Sequence, residues 1–145
     1  IKRVEGNIVV DDSDFDSVRT DSSRDPVRVD RAYDAPVGAM SFNWNSINIF
    51  VRPTKGGAPA EVFLDPIDFG FKVDNKARTG GKGSTQIEVT RGGNKISVRG
   101  VIADGGAEFV AYKNIDDPAE WSGRNLIFFL SQRGISVTGK VKNGK

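Results

Sequence analysis

Ala39-Met40-Ser41-Phe42-Asn43-Trp44-Asn45-Ser46-Ile47-Asn48-Ile49-Phe50-Val51 holds two alternations that disagree. Met40, Phe42 and Trp44 are apolar against Ser41, Asn43 and Asn45, the period of two that a half-buried strand shows. From Ser46 onward the apolar set moves to Ile47, Ile49 and Val51, odd positions instead of even. A slip of one residue carries side chains to the opposite face of a sheet. Two strands, or one strand with a bulge, are therefore expected to change over near Ser46.

Upstream, Gly6-Asn7-Ile8-Val9-Val10-Asp11 reads as a short strand, followed by an Asp-, Ser- and Pro-containing loop over residues 11–36. A loop that long inside a compact domain is usually functional. Downstream, Pro53-Thr54-Lys55-Gly56-Gly57-Ala58-Pro59-Ala60 punctuates the chain. Four strand-like runs come next: Glu61–Leu64 continuing to Phe69–Val73, then Ser84–Thr90, Lys95–Ala103 and Glu108–Tyr112. Arg91-Gly92-Gly93-Asn94 and Asp104-Gly105-Gly106 supply the turn chemistry of tight hairpins. These runs predict an antiparallel meander forming a small barrel or sandwich. One helix follows, with Asp117 as N-cap, Pro118 in its first turn, Glu120 three residues after the cap and Gly134 as its left-handed stop. Trp121, Leu126, Phe128, Phe129 and Leu130 predict that it is well buried, and Ile135–Val141 reads as a last strand. The fold class expected is α+β, mostly β: an outer sheet with one C-terminal helix, interrupted by the β-meander domain. Residues 1–60 form the first part of the outer domain, 61–115 the nested β-domain, and 116–145 the return helix and strand.

The 145 residues are 37% apolar and 28% charged, with a net charge of +2, so one medium domain or two small ones can bury a core. No run of about 18 apolar residues is present to form a membrane-spanning helix. The absence of Cys and His excludes disulfides, thiol chemistry, Cys/His zinc sites and imidazole bases. Ile1-Lys2-Arg3 leads straight into Val4 without a signal peptide, and the missing Met suggests a processed or excised segment. From Asp11 to Asp34 eight aspartates face four arginines; from Lys72 to Arg99 seven cations (72, 76, 78, 82, 91, 95, 99) face Asp74 and Glu88. Solvated loops and outer strand faces account for both runs, and a basic patch for a polyanion is the sharper reading of the second.

Asp12, Asp14 and Asp16 occupy alternate places of a calcium loop, but Ser17 and Ser23 stand where its Gly and Glu belong. Gly80-Gly81-Lys82-Gly83-Ser84 lacks the spacing of a phosphate loop and reads as a hairpin loop. No S-x-x-K and no K-T-G occur in the chain. Ser41-Phe42-Asn43 spells S-x-N, yet without a Lys partner that serine has no base to activate it. No metal and no cofactor are expected.

Three stretches together resemble the central region of class C low-molecular-weight penicillin-binding proteins. They are Gly6–Asp11; Tyr33-Asp34-Ala35-Pro36-Val37-Gly38-Ala39-Met40-Ser41-Phe42-Asn43-Trp44-Asn45; and Gly123 through Gly134 with Ile135-Ser136-Val137-Thr138-Gly139. The resemblance implies a periplasmic serine-type D-alanyl-D-alanine carboxypeptidase and endopeptidase, of which this chain is the insertion between the first and second catalytic motifs. It also implies that Tyr33 and Asp30 lean towards the active site and help hold the diaminopimelate side chain of a peptidoglycan stem peptide. A carboxylate can pair with the amine of that zwitterion while a ring covers its methylenes. The alternative is that Tyr33 packs over the sheet and Asp30 pairs with Arg28 or Arg31. The leading expectation is a non-catalytic accessory region that shapes the substrate cleft of a hydrolase and meets the stem peptide through a catalytic domain outside this chain. The competing one is a free-standing module that binds a polyanion or cell-wall polymer, with nucleic acid an improbable partner.

Overall fold

The computed structural model describes residues 1–24, 30–67, 70–81 and 83–144. In chain order they form β1 (Arg3–Val4), β2 (Ile8–Val10), β3 (Ser46–Arg52), β4 (Glu61–Asp65), β5 (Lys72–Thr79), β6 (Gln86–Gly92), β7 (Lys95–Ile102), β8 (Phe109–Asn114), α1 (Pro118–Gln132), β9 (Ser136–Val137) and β10 (Val141–Asn143). The chain is α+β and mostly β. It divides into two compact units, Ile1–Ser46 with Asn114–Lys145, and Ile47–Lys113.

In the first unit β1 runs parallel to β9, and β2 parallel to β10. The two pairs keep one register, with Arg3 opposite Ser136 and Ile8 opposite Val141. Between them the ladder opens, and side chains take over. Thr138 Oγ1 accepts from the Gly6 amide at 3.1 Å, and Asn7 Oδ1 accepts from the Lys140 amide at 3.0 Å. A Cβ on Gly139 would run into the Gly6 carbonyl, so only glycine fits this crossing. The single last strand expected over Ile135–Val141 is thus two short ones.

Helix α1 packs on β2, β9 and β10. Asp117 caps it by accepting from the Glu120 amide at 3.0 Å. Glu120 does not complete a capping box; it reaches Arg124 one turn on at 2.9 Å. At the other end the Gly134 and Ile135 amides bond Ser131 and Leu130 carbonyls, with Gly134 at φ +71°. The helix is buried in its first half only. Trp121 is 1% exposed, but Leu126 is 47% exposed and Phe128, Phe129 and Leu130 are half-buried. Strands of two or three residues are too short to cover more of it.

The second unit is built from two three-stranded sheets, β4-β3-β8 and β5-β7-β6, rather than a closed barrel. Ile47, Ile49 and Val51 of β3 and Ile96, Val98 and Ile102 of β7 are fully buried and form its core. The Arg91–Asn94 turn does join an antiparallel pair, β6 and β7. The expected meander fails elsewhere. β5 lies parallel to β7, and the Asp104–Gly106 turn carries the chain to a different sheet. β5 and β6 are not joined as a hairpin, because β7 lies between them, and the Gly80 amide bonds the Ile102 carbonyl at 2.8 Å. Turn residues mark where a chain reverses, not which strand it then joins. Phe69 and Lys82 lie outside the described residues.

Gly123 sets the contact between α1 and the parallel strands. A Cβ there would stand 2.5 Å from Val141 Cγ1 and 3.0 Å from Val10 Cγ2. In an exposed helix Gly→Ala gains about 1 kcal/mol, whereas overpacking a tight core costs about 1–3 kcal/mol. Both valines are branched and cannot fold away, so the steric term wins. Gly123→Ala is expected to lower the thermal midpoint by several degrees, measured by circular dichroism.

Candidate functional site

The segment from Asp30 to Ser46 is held by an unusual density of side-chain to backbone bonds within the first unit. Arg24 donates through Nη1 to the Asp34 carbonyl and through Nη2 to the Ala35 carbonyl, the latter at 3.3 Å. Asn114 Nδ2 also donates to the Asp34 carbonyl, at 3.2 Å, and Asn45 Nδ2 to the Pro36 carbonyl at 2.9 Å. The Val37 amide bonds the Arg19 carbonyl at 2.8 Å, and the Met40 amide bonds Asp12 Oδ1 at 2.9 Å. Arg19 in turn pairs with Asp12. The Ala-Pro step cannot form a regular ladder, because Pro36 lacks an N–H. Its neighbours' carbonyls are satisfied one by one instead.

Residues 39–45 are not a strand. Asn43, Trp44 and Asn45 form one turn of left-handed helix, at φ +50°, +57° and +49°. Each non-glycine residue there costs roughly 1–2 kcal/mol, least for Asn. The opposing bonds are specific. Asn45 Oδ1 accepts from the Phe42 amide at 3.2 Å and from Ser41 Oγ at 3.3 Å. Asn43 Nδ2 donates to the Ser46 carbonyl, and Ser46 Oγ to the Asn43 carbonyl, both at 2.9 Å. Trp121 Nε1 donates to the Phe42 carbonyl, and the Ile115 amide to the Asn45 carbonyl, both at 3.0 Å. Asn side chains compete with strand hydrogen bonds in this way, and the alternation read from the sequence gives no sign of it. Trp44, read as inward-facing, is 89% exposed at the apex of the turn. The change of face at Ser46 does occur, as the turn gives way to β3.

Tyr33 and Asp30 flank Arg31 at the start of a single 3-10 turn, Ala32–Asp34. Tyr33 is 65% exposed. Arg31 donates from Nη1 to Tyr33 Oη at 2.5 Å, and its guanidinium carbon lies 5.8 Å from the ring centre. The Tyr33 hydroxyl bond, then the phenol's charge, raise the Arg31 pKa above its ordinary value; Asp34 and Asp30 add to the effect against partial desolvation. The Asp30 carbonyl accepts from the Asn114 amide at 3.1 Å. Arg31 was legible only as a partner for Asp30. Arg28 lies outside the described residues.

The remaining sequence candidates serve local structure. Asp12 is held by Arg19 and the Met40 amide, and Asp16 Oδ1 accepts from the Val18 amide at 2.9 Å. Ser41 Oγ is turned to the Asn45 amide oxygen.

Residues 1–145 match the family described as D-Ala-D-Ala carboxypeptidase 3 (S13). The chain belongs to that family. It is 30% identical to the D-alanyl-D-alanine carboxypeptidase of Actinomadura sp. (strain R39), over 99% of this chain and 28% of the relative. Penicillin binding protein 4 (dacB) from Haemophilus influenzae shares the fold, at a TM-score of 0.69 and 18% identity, over 99% of this chain and 32% of that one. The same protein complexed with a β-lactam superposes at a TM-score of 0.55 with 16% identity, covering 100% and 31%. The chain therefore spans about a third of the length of these relatives.

The left-handed turn separates two kinds of residue. Asn45→Ala removes three bonds and the tolerance of positive φ, and is expected to cost about 2–4 kcal/mol in urea unfolding. Trp44→Gly loses almost no packing and relieves one strained residue, and should stay within about 1 kcal/mol of the parent.

Proposed function

We propose that this chain is a non-catalytic accessory region of a periplasmic D-Ala-D-Ala carboxypeptidase/endopeptidase that acts on peptidoglycan stem peptides. The observation that carries the reading is a family match over residues 1–145 in a sequence with neither S-x-x-K nor K-T-G. The acyl-accepting serine then lies outside this chain, and so does the β-lactam target. The role left to the chain is to shape one wall of the substrate cleft. Tyr33 and Asp30 are its proposed contacts with the zwitterionic side chain of the stem peptide. The exposed ring offers a face for its methylenes, the Asp30 carboxylate a partner for its amine, and Arg31, oriented by Tyr33 Oη, a cation for its carboxylate.

Fluorescent-penicillin labelling of this chain and of the complete product of its gene tests the reading. Label on the longer product alone is the expected result; label on this chain would overturn the assignment, and label on neither would point to a domain used for binding. In the labelled enzyme, Tyr33→Ala should raise KM for a peptide with a diaminopimelate side chain about fivefold, the equivalent of ~1 kcal/mol. kcat on a plain D-Ala-D-Ala peptide should be unchanged.

A further inference from the structure

Trp44 occupies the apex of the left-handed turn and adds no contact to the fold. Its ring is 89% exposed, and among the described residues it meets no other ring and no cation. Neither its indole N–H nor its backbone amide has an acceptor among those residues. A bulky side chain at φ +57° carries backbone strain, and such strain collects at ligand-holding sites, where the surrounding structure keeps it in place. Here the surroundings are rigid. Asn43 and Asn45 bond the turn from both sides of the ring, and the Ile115 amide ties it to a residue that is 2% exposed. Asn43 gives its Nδ2 to the Ser46 carbonyl, and no donor among the described residues reaches its Oδ1. An unpaired donor, an unpaired acceptor and an open indole face thus stand on adjacent residues.

The turn lies in the longest uncharged run of the sequence, the 17 residues Ala35–Val51 of a chain that is 28% charged. Such a run brings no charge of its own to draw a polyanion or an anionic lipid. We propose that Trp44 is the platform of a binding site for a neutral glycan, with an acetamido-bearing pyranose ring laid on its indole. A pyranose is apolar on its C–H faces and polar around its rim. Its C–H groups present positive edges to the negative face of the indole, as the edge of an aromatic ring does. The acetamido group supplies one acceptor and one donor, a C=O for the Trp44 amide and an N–H for Asn43 Oδ1. Protein partners and lipid surfaces are held by contiguous apolar area, whereas Trp44 has the half-buried Asn43 and the buried Asn45 on either side. Because the backbone is already fixed, little ordering opposes binding. The inference rests on the first unit and not on the stem-peptide reading, which penicillin labelling tests separately.

The test is a proton–nitrogen NMR titration of the chain with tetra-N-acetylchitotetraose, with cellotetraose, which lacks the acetamido groups, and with phosphatidylcholine vesicles. Saturable shifts of the Asn43 and Trp44 amides and of the Trp44 indole are expected with the first sugar, at a dissociation constant of about 1 mM. Cellotetraose should bind about fivefold more weakly, since it leaves the unpaired donor and acceptor without an amide partner. Trp44→Gly keeps the positive φ and removes only the ring, and should weaken binding about tenfold. The Trp121 indole, whose N–H bonds the Phe42 carbonyl, reports in the same spectra that the turn is intact. Trp44→Tyr keeps an aromatic face and should stay within about threefold of the parent. Tyr112→Ala, which removes an exposed ring of the second unit, should change the affinity less than about twofold. No saturable shift, cellotetraose binding as tightly as the acetamido sugar, an unaltered affinity in Trp44→Gly, or a Trp44 signal that moves with vesicles and not with sugar would each overturn the proposal.

Discussion

A single carboxamide organises the point where the chain leaves the first unit and comes back to it. Asn45 accepts from Ser41 and Phe42, donates to Pro36, and offers its own backbone carbonyl to Ile115, just past the end of β8. It is 5% exposed, so a missing partner would leave a buried polar group on its carboxamide. Those bonds hold three successive residues at positive φ, a conformation their Cβ atoms oppose. The Ala-Pro segment, the exposed Trp44 and the start of β3 all take their direction from this turn.

What the sequence made legible follows from how local each signal is. The Asp117 N-cap and the Gly134 stop of α1, the Arg91–Asn94 hairpin and the inward row Ile47, Ile49, Val51 are set by residues within one or two turns of each other, and they came out as expected. The change of face at Ser46 was visible as well. The device that makes it was not, because Met40, Phe42 and Trp44 alternate as a strand would, while the Asn side chains that defeat the strand act through distant carbonyls. Sheet order was beyond local reading too: nothing in Lys72–Thr79 records that its neighbour is β7 and not β6. At the candidate site Tyr33 and Asp30 were named by resemblance, whereas the bond from Arg31 to the Tyr33 hydroxyl is visible only in the folded turn.

The two units put polar side chains to opposite uses. In the first, Arg24, Asn45 and Asn114 turn their side-chain donors onto backbone carbonyls. In the second, strand alternation separates a dry inner row from a charged outer one, and the register rather than any loop decides which charges meet. A surface set by register is rigid, and its pattern changes as a whole if one strand slips.

The parallel pairing of β2 with β10 also fixes an order of events during synthesis. Every strand of the Ile47–Lys113 unit is synthesised before the first residue of β10, so that unit has all its strands before the first unit does. Ile8, Val9 and Val10 have no strand to join until Val141–Asn143 emerges. Domains fold as units as they are made, but the first unit here must wait for its own far end. A folded insert does not shorten that wait but lowers the cost of the closure that ends it: it replaces a long floppy loop with a folded body, and the entropy of closure falls accordingly.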